Sequence, residues 1–356
     1  MRKVFYFILC AALLCSLAAC RAGNTGGTGG KPGGGDQRGE ALSLDDSSAI
    51  DNPFAEEQPQ NSSLSHGMPV TDPEKKPEIV YTGGECTVNY AVSASGIGRD
   101  FGFLLYLDGV PQPYKLEPDG EYAYLHSVSL PEDTEDLPFT FLFTPVTGTE
   151  GESSTLAVTS LTNPRFQPDM EQTSSYGGYH SPLTAEYPVN FTASPPPFHQ
   201  QVAVNPCISN MVRQTQLVTS DYLETRGWSL AQLNEGIFQF ITYDGEVRYD
   251  NLAVSGDAPA AIHYELAGIP GMRSQTTFYI DHMPIADDSG TLVFENTFTS
   301  GEVIAYDFGI DARKLDGFRT FYAVTVPLDT EDYPDFPIST LKTDSILFYQ
   351  QEAQNK

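Results

Sequence analysis

The sequence predicts an all-β fold. Short runs rich in Val, Tyr, Phe, Leu and Thr recur from residue 79 to residue 349, and clusters of Gly, Pro, Asp and Ser separate them. Within Cys86–Ala94 (CTVNYAVSA) apolar and polar residues alternate, which is typical of a strand with one buried and one solvated face. Many short strands at intervals of about 8 to 12 residues favour an antiparallel sandwich or barrel.

The predicted strands form two groups, which we assign to domains over residues 78–162 and 236–352. Both groups resemble immunoglobulin-like β-sandwiches, so the expected fold is two such sandwiches in tandem. The second domain opens with the clearest hairpin signal in the chain, GIFQFITY followed by Asp244-Gly245 and EVRY. The strands of the first group are Ile79–Tyr81, Cys86–Ala94, Phe101–Leu107, Tyr122–Leu130, Phe139–Phe143 and Thr155–Leu161. Those of the second continue as Ala260–Leu266, Thr276–Ile280, Thr291–Thr297, Val303–Phe308, Phe318–Val326 and Ile338–Tyr349.

Local similarities between the two groups predict an internal duplication. YLDGVP from Tyr106 matches YIDHMP from Tyr279, and FTFLFTPV from Phe139 is similar to RTFYAVTVP from Arg319. Both groups would then be copies of one ancestral β-domain.

Residues 163–235 predict an irregular connector between the two domains. Its first part contains many prolines, and proline lacks the N–H donor that a central strand needs. Ser220-Asp221 is a candidate cap for a short helix, with Gly227 weakening it. The apolar residues at roughly helical spacing there are Tyr222, Leu223, Trp228, Leu230 and Leu233.

The first twenty residues indicate export. Arg2 and Lys3 precede an apolar run over residues 4–17, and Ala18-Ala19 lead into Cys20. This pattern resembles the lipobox of bacterial lipoproteins. The resemblance implies a signal peptide over residues 1–19, lipidation (acylation, as by palmitate) of Cys20, and a lipid anchor on the extracytoplasmic face of a bacterial cell membrane. Two alternatives are a transmembrane anchor, for which the run is too short, and an ordinary signal peptide with Cys20 incidental.

Residues 20–77 predict a flexible linker behind that anchor. Arg21–Gly39 is almost entirely glycine and polar residues, and the stretch up to Lys76 is acidic and carries prolines. Such a composition buries too little apolar surface to offset the entropy of ordering. As a coil, the linker would span roughly 40 Å between its ends.

The charge narrows the range of partners. The chain has 47 acidic and 19 basic residues, a formal net charge of -28. Such a surface repels phosphate backbones, so we expect no nucleic-acid partner. The simplest explanation of the excess negative charge is that it keeps the protein soluble through repulsion between molecules.

The sequence contains no recognisable catalytic or cofactor motif. No nucleophile elbow, zinc-protease helix or EF-hand is present, so we expect no enzyme activity, no cofactor and no metal site. The six histidines are scattered: His66, His126, His180, His199, His263 and His282. Two identical tetrapeptides, Asp133–Asp136 and Asp329–Asp332 (DTED), offer oxygen ligands for calcium but read more simply as solvated acidic loops.

A few other residues leave alternatives open. Tyr176 and Tyr179 on a polar loop are candidates for contact with a sugar or a protein. Cys86 and Cys207 could form a disulfide in an exported protein, but two cysteines carry no spacing signal.

Together these features favour a membrane-anchored lipoprotein that acts as a non-catalytic binding, adhesion or spacer module for a protein or glycan. One alternative is a lipoprotein that captures a solute or glycan for a transport system, although the βαβ pattern of common binding folds is missing. The other is an extracytoplasmic hydrolase that uses carboxylates.

Overall fold

The computed structural model describes residues 63–70, 75–95, 100–131, 134–166, 180–197, 207–243, 246–247, 251–254, 258–311, 317–336 and 338–350. The expected all-β fold with two tandem sandwiches is confirmed. Each sandwich consists of two sheets that share a buried core, and both sandwiches belong to one compact unit.

The N-terminal sandwich packs a three-stranded sheet A on a six-stranded sheet B. Sheet A has the order β1-β3-β7, and sheet B the order β2-β9-β8-β4-β5 with β6 beside β4. The strands of sheet A are β1 (Ser63–Gly67), β3 (Cys86–Ser95) and β7 (Thr134–Phe143). Those of sheet B are β2 (Ile79–Tyr81), β4 (Asp100–Leu107), β5 (Val110–Gln112), β6 (His126–Ser129), β8 (Ser153–Thr162) and β9 (Pro182–Phe191).

The C-terminal sandwich packs a five-stranded sheet C on a seven-stranded sheet D. Sheet C has the order β10-β18-β14-β11-β12, and sheet D the order β13-β21-β19-β15-β16 with β17 beside β15 and β20 beside β19. The strands of sheet C are β10 (Ile208–Leu217), β11 (Phe238–Tyr243), β12 (Glu246–Val247), β14 (Ala260–Ala267) and β18 (Glu302–Ile310). Those of sheet D are β13 (Asn251–Val254), β15 (Arg273–Ile280), β16 (Met283–Pro284), β17 (Phe294–Thr297), β19 (Phe318–Pro327), β20 (Leu341–Lys342) and β21 (Ile346–Gln350).

Alternation in the sequence produces the N-terminal core as predicted. In β3 the residues Cys86, Val88, Tyr90 and Val92 are buried and their neighbours point outward. Tyr90 packs against the ring of Phe141 on β7, with ring centroids 5.0 Å apart. Burial of this aromatic and aliphatic face removes the apolar surface from water, which is the main force that closes the sandwich.

The two sandwiches share one strand connectivity, which supports the internal duplication. The orders of sheets B and D correspond strand for strand except for β20, which sheet B lacks, and each includes one parallel pair, β2 with β9 and β13 with β21. The turns after Tyr106 and Tyr279 also correspond. Both central residues have positive φ in each turn, 47° and 79° at Asp108-Gly109 and 48° and 65° at Asp281-His282. Such turns match the twist of a two-residue hairpin.

One of the predicted correspondences is wrong. Phe139–Val146 lies mostly in β7, whereas Arg319–Pro327 lies in β19, and the sheet orders make β18 the counterpart of β7 and β8 that of β19. The two segments resemble each other because all buried strands have similar composition.

The outer faces of sheets B and D pack against each other. The eight residues of this contact layer are apolar or aromatic and almost completely buried, and they come from β4, β8, β15 and β19: Leu104, Tyr106, Ala157, Leu161, Tyr279, Tyr322, Val324 and Val326. Strands with cover on both faces show no alternation, and β4 and β15 are buried at seven consecutive positions. The layers of the folded body therefore stack in the order A, B, D, C.

The expected irregular connector over 163–235 contains regular structure instead. It includes β9, β10 and two helices, α1 (Ser220–Arg226) and α2 (Leu230–Leu233). Proline does not prevent β9 from forming, because the parallel partner β2 pairs only with Val189–Phe191 and leaves the β2 side of Pro188 open. The N-terminal sandwich thus extends past residue 162 and the C-terminal sandwich begins before residue 236.

The expected linker over 20–77 also contains a strand, because β1 pairs with β3 through His66 opposite Val92. Residues 1–19, Cys20 and the chain up to residue 62 lie outside the described residues. Within the described part of the chain, every helix is too short or too polar to cross a bilayer.

Candidate functional site

A cluster of charged side chains lies on the outer face of sheet C. In β14 the residues Ile262 and Tyr264 point into the core, so His263 and Glu265 point outward. The neighbouring strand β18 places Asp307 directly opposite His263. A half-buried sheet surface therefore carries two carboxylates with an imidazole between them.

The helices α1 and α2 cover one end of this face. Thr219 caps α1 by accepting a hydrogen bond from the backbone N–H of Tyr222, and Gly227 ends it in the left-handed conformation with φ 68°. The predicted helical stretch is therefore two short helices rather than one. Their apolar side chains, together with Trp228 in the connection between the helices, pack on Ala267 and Val303 of sheet C.

Glu265 accepts hydrogen bonds from three side chains. Tyr222 donates its hydroxyl to Oε2 at 3.1 Å, Arg226 donates a guanidinium N–H to the same oxygen, and His263 donates from Nε2 to Oε1 at 3.1 Å. Burial raises the pKa of Glu265, but the bond from His263 and the charge of Arg226 outweigh burial and hold its pKa below the usual range. Glu265 is thus an ionised carboxylate, and both of its oxygens accept hydrogen bonds.

His263 is held in its charged form. Its Nδ1 lies 2.6 Å from Oδ1 of Asp307, and its Nε2 faces Glu265, so both ring nitrogens need a proton to donate. The hydrogen bond to Glu265 raises the pKa of His263, burial opposes it, and the bond to Asp307 adds to the rise, giving about 9. The second oxygen of Asp307 accepts from Gln214 at 2.8 Å.

Aromatic rings hold the arginine in place. The guanidinium of Arg226 lies 4.4 Å from the ring centroid of Phe240 and 4.6 Å from that of Tyr222. Trp228 packs against Phe240 at 5.2 Å. These contacts restrict the arginine to one geometry, so the network is preorganised.

A groove of about 440 Å³ opens beside this network. Its polar wall is His263, Asp307 and Asn210, and its floor is small and apolar. A Cβ on Gly309 would lie 2.7 Å from Cβ of Pro259, so the floor requires glycine there. The lining residues are Asn210, Pro259, Ala261, Ile262, His263, Asp307, Phe308 and Gly309.

A second polar cluster joins the two sandwiches and is buried. His282 donates from Nε2 to the carbonyl of Pro164 at 2.5 Å and accepts from the hydroxyl of Tyr322 at 2.9 Å. Nearby, Lys342 donates to Oγ of Ser345 at 2.9 Å, and Ser345 lies 2.9 Å from Nδ1 of His180. Both bonded chains cross from one sandwich to the other.

The two histidines of the buried cluster are uncharged at neutral pH. Burial lowers the pKa of His282 to about 4 and that of His180 well below the usual range, so both rings are neutral at pH 7. Burial also lowers the pKa of Lys342 to about 7. Ser345 is completely buried and out of reach of a substrate, so this lysine–serine contact supports the interface rather than chemistry.

The histidines are less scattered than the sequence suggests. The rings of His180 and His282 lie 5.7 Å apart, and His263 belongs to the charged network. His66 bonds to the hydroxyl of Tyr90 at 2.6 Å. His199 lies outside the described residues, as do Tyr176 and Tyr179.

The possible disulfide does not form, because Cys86 and Cys207 are both buried as thiols in different sandwiches. The DTED segments differ from each other. Thr134–Asp136 begins β7 and Asp133 lies outside the described residues, whereas Asp329 binds Arg273 through two bonds of 2.7 and 2.8 Å. Within the described residues, no three His, Cys, Asp or Glu side chains are placed to hold a metal ion.

Sequence reasoning missed Arg226, Glu265 and Asp307. The spacing of His263 and Glu265, two apart in a predicted strand, indicates a shared outward face. Asp307 and Arg226 come from another strand and a helix, so only the sheet order brings them together.

Comparisons with known proteins identify no family and no function. No family model matches the chain, and no curated protein matches it. Among solved structures, the fibronectin(III)-like modules of Clostridium thermocellum CbhA align at 10% identity over 83% of this chain and 97% of theirs, with a TM-score of 0.20. The C-terminal domain of the Streptococcus agalactiae AgI/II polypeptide BspA aligns at 10% identity over 81% of this chain and 100% of its own, also at 0.20. Scores this low carry no argument about fold or function.

Proposed function

We propose that this chain is a lipid-anchored, extracytoplasmic, non-catalytic binding module. Residues 1–20 support the anchor, since their charged, apolar and small-residue segments lead to Cys20. The glycine-rich composition of Arg21–Gly39 supports a tether between the lipid and the sandwiches. The acid-rich surface favours a position away from anionic headgroups and a partner other than nucleic acid.

Cys20→Ala is expected to abolish lipid attachment, because the thiol of Cys20 would carry the acyl chain. The full chain is expressed in a bacterium fed radiolabelled palmitate, and label on the purified protein is measured. Cys15→Ala, which changes a cysteine inside the apolar run, serves as the matched control and is expected to keep the label. Equal labelling of wild type and Cys20→Ala would contradict the anchor.

The groove on sheet C is the observation that carries the binding role. It combines a carboxylate, a charged imidazole and an amide above an apolar floor. Neighbouring side chains already hold the charges in one arrangement, so little ordering is required on binding. Hydrogen-bonding groups over an apolar floor suit the hydroxyls and ring carbons of a glycan. The proposed function has no catalytic step. The Glu265 carboxylate and the His263 ring are hydrogen-bonded to each other and to Arg226 and Asp307, so neither is available as an acid or base.

Ala261→Trp is expected to abolish glycan binding by filling the groove. Ala261 is an exposed residue of the floor, so the larger side chain needs no change in the core. The full chain in detergent is applied to a printed glycan array, with Ala231→Trp on exposed α2 as the control. We expect wild type and Ala231→Trp to bind the same glycans and Ala261→Trp to lose at least tenfold in signal. Absence of glycan binding, or equal binding by all three, would contradict a glycan site.

A further inference from the structure

The strand β10 is an unusual sheet edge. It forms one end of sheet C and pairs with β18 as its only neighbouring strand in the described sheet. Its first residues are occupied, because the backbone N–H groups of Ile208 and Asn210 bond to the carbonyl of Ala286 and the carboxylate of Asp288. The open part of the edge is therefore residues 211–217. Most strands at sheet ends here have two to five residues, whereas β10 has ten. A long edge strand presents a row of backbone donors and acceptors that can pair with another chain.

This strand has no counterpart in the N-terminal sandwich. Sheet A ends at β7, the counterpart of β18, and β10 is added beyond that position in sheet C. The duplication therefore does not account for β10. Its residues Val212–Leu217 pair with β18 in an unbroken register, after a bulge between Ser209 and Val212.

The side chains of β10 lack the features that usually protect an edge. In a chain with 47 acidic residues, the strand ISNMVRQTQL has no Asp, Glu or Pro, and Arg213 is its single charge. Val212 and Leu217 are 55% and 77% exposed. Natural edges are commonly blocked by charges, prolines or short length. Residues 211–217 therefore form an edge that has no acidic side chain of its own, which a second copy of this acidic chain can approach.

The other ten-residue edge, β7, is blocked. It contains Pro138, and its outer side at Leu142 already exchanges two backbone hydrogen bonds with Lys115. Glu135 and Asp136 add negative charge at its start. A strand from another molecule would therefore pair more readily with β10 than with β7.

We propose that β10 pairs with β10 of a second copy of this chain. The two strands run antiparallel about a two-fold axis at Gln214, perpendicular to the sheet. This axis keeps each face of the sheet continuous and makes the contact self-complementary. Arg213 then lies opposite Thr215 of the second copy, Val212 opposite Gln216, and Met211 opposite Leu217.

The neighbouring registers fit less well. An axis at Arg213 would place two guanidinium groups directly opposite each other, which is destabilising. An axis at Thr215 would place the charged Arg213 opposite Leu217, an apolar side chain that is 77% exposed. The register centred on Gln214 pairs Met211 with Leu217, and Met211 packs against the core of the C-terminal sandwich.

The dimer would join two five-stranded sheets into one continuous sheet. Because the axis is perpendicular to it, the outer faces of both copies look in the same direction. The two grooves of the dimer would then open on the same side. A surface that carries many copies of a ligand could occupy both grooves at once and would be bound with avidity. The pairing itself does not depend on what the groove binds.

Disulfide trapping tests the register. The full chain with Gln214→Cys is oxidised with copper phenanthroline in membranes of the expressing cells, and dimer is measured on non-reducing gels. Opposed residues at the axis have Cβ atoms about 4.5 to 5.5 Å apart. With Gln216→Cys, on the same strand and face and equally open to solvent, the two cysteines would be about 13 Å apart.

We expect at least fivefold more disulfide-linked dimer from Gln214→Cys than from Gln216→Cys. None is expected from wild type, in which Cys86 and Cys207 are buried and the proposed acylation occupies the thiol of Cys20. Equal trapping at both positions would indicate random collision and overturn the proposal, as would absence of dimer from Gln214→Cys. Preferential trapping with Thr215→Cys instead would overturn the register.

A charge pair at one position gives an independent measurement. In the Gln214→Cys background, Thr215→Glu would face Arg213 of the second copy and is expected to raise dimer yield at least twofold. Thr215→Lys would face the same arginine and is expected to lower it by a similar factor. General repulsion between acidic molecules predicts the opposite order, so that order, or no difference, would overturn the proposal.

Discussion

Tyr322→Ala is expected to lower the free energy of unfolding by about 3 to 5 kcal/mol, the range for deletion of a buried aromatic ring. Tyr322 is completely buried and its ring stacks on Tyr279, with centroids 5.1 Å apart and planes at 12°. Its hydroxyl also bonds to His282, and the Lys342 ammonium lies 4.7 Å from its ring centroid. Tyr322 also belongs to the apolar layer between sheets B and D, so the substitution removes packing on which both sandwiches depend.

The same substitution is expected to separate the unfolding of the two sandwiches. Trp228 is the single tryptophan and packs on sheet C, so its fluorescence follows the C-terminal sandwich, whereas far-UV circular dichroism follows both. In urea the two signals should coincide for wild type and diverge for Tyr322→Ala. Phe278→Ala, which opens a cavity inside the C-terminal core, is expected to cost a similar free energy.

Tyr322→Phe provides the finer control at the interface. It keeps the stacked ring but leaves Nδ1 of buried His282 without its donor, at a cost of about 1 to 3 kcal/mol. Coincident signals for Tyr322→Ala, or a loss below that of Tyr322→Phe, would show that the contact layer does not couple the sandwiches.

Glu265→Gln is expected to lower the free energy of unfolding by about 3 kcal/mol, because removal of one partner from a buried ion pair leaves the other charge uncompensated. Arg226 and His263 both lose their shared carboxylate, and Arg226 is held in place by Tyr222 and Phe240. The matched control is Glu224→Gln on the exposed side of α1, for which a change within about 0.5 kcal/mol is expected. Urea unfolding at pH 7 measures both.

The pH dependence gives this network a signature of its own. The folded pKa of His263 is about 9 and the unfolded value is about 6.5. A raised folded pKa means that the stabilisation by His263 is complete below pH 6.5 and is lost as the pH rises through 9. In Glu265→Gln this loss should shrink, and the NMR titration of His263 should move towards 6.5. An unchanged titration would contradict the assignment of Glu265 as its main partner.

Local patterning predicted much of the fold. Apolar and polar residues alternate in Cys86–Ala94, and this segment forms a strand with one solvated face. The similar sequences around the turns after Tyr106 and Tyr279 predicted the duplication. Two of the missed strands, β9 and β10, lack that pattern for identifiable reasons. The edge strand β10 buries little and needs few apolar residues, and β9 tolerates Pro188 where its neighbour strand is absent.

The site was less accessible to sequence reasoning than the fold. His263 and Glu265 lie two apart on one strand, and that spacing is visible. Their partners are distant in the chain, because Arg226 arrives on α1 and Asp307 on β18. The burial of both faces is visible in the sequence of β4 (FGFLLYL), but the buried part of β15 begins with Ser274 and Gln275, and neither sequence tells what covers the strand.

The contact between sheets B and D uses equivalent surfaces of the two halves. Tyr106 and Tyr279 occupy matching positions before the two corresponding turns, and both are completely buried in the layer. The chain is therefore built like a homodimer whose subunits were fused end to end. Either half produced alone would expose its side of this apolar layer, a surface complementary to that of the other, similar half. Such a fragment is expected to self-associate or precipitate. Both sandwiches must therefore be produced together as one chain.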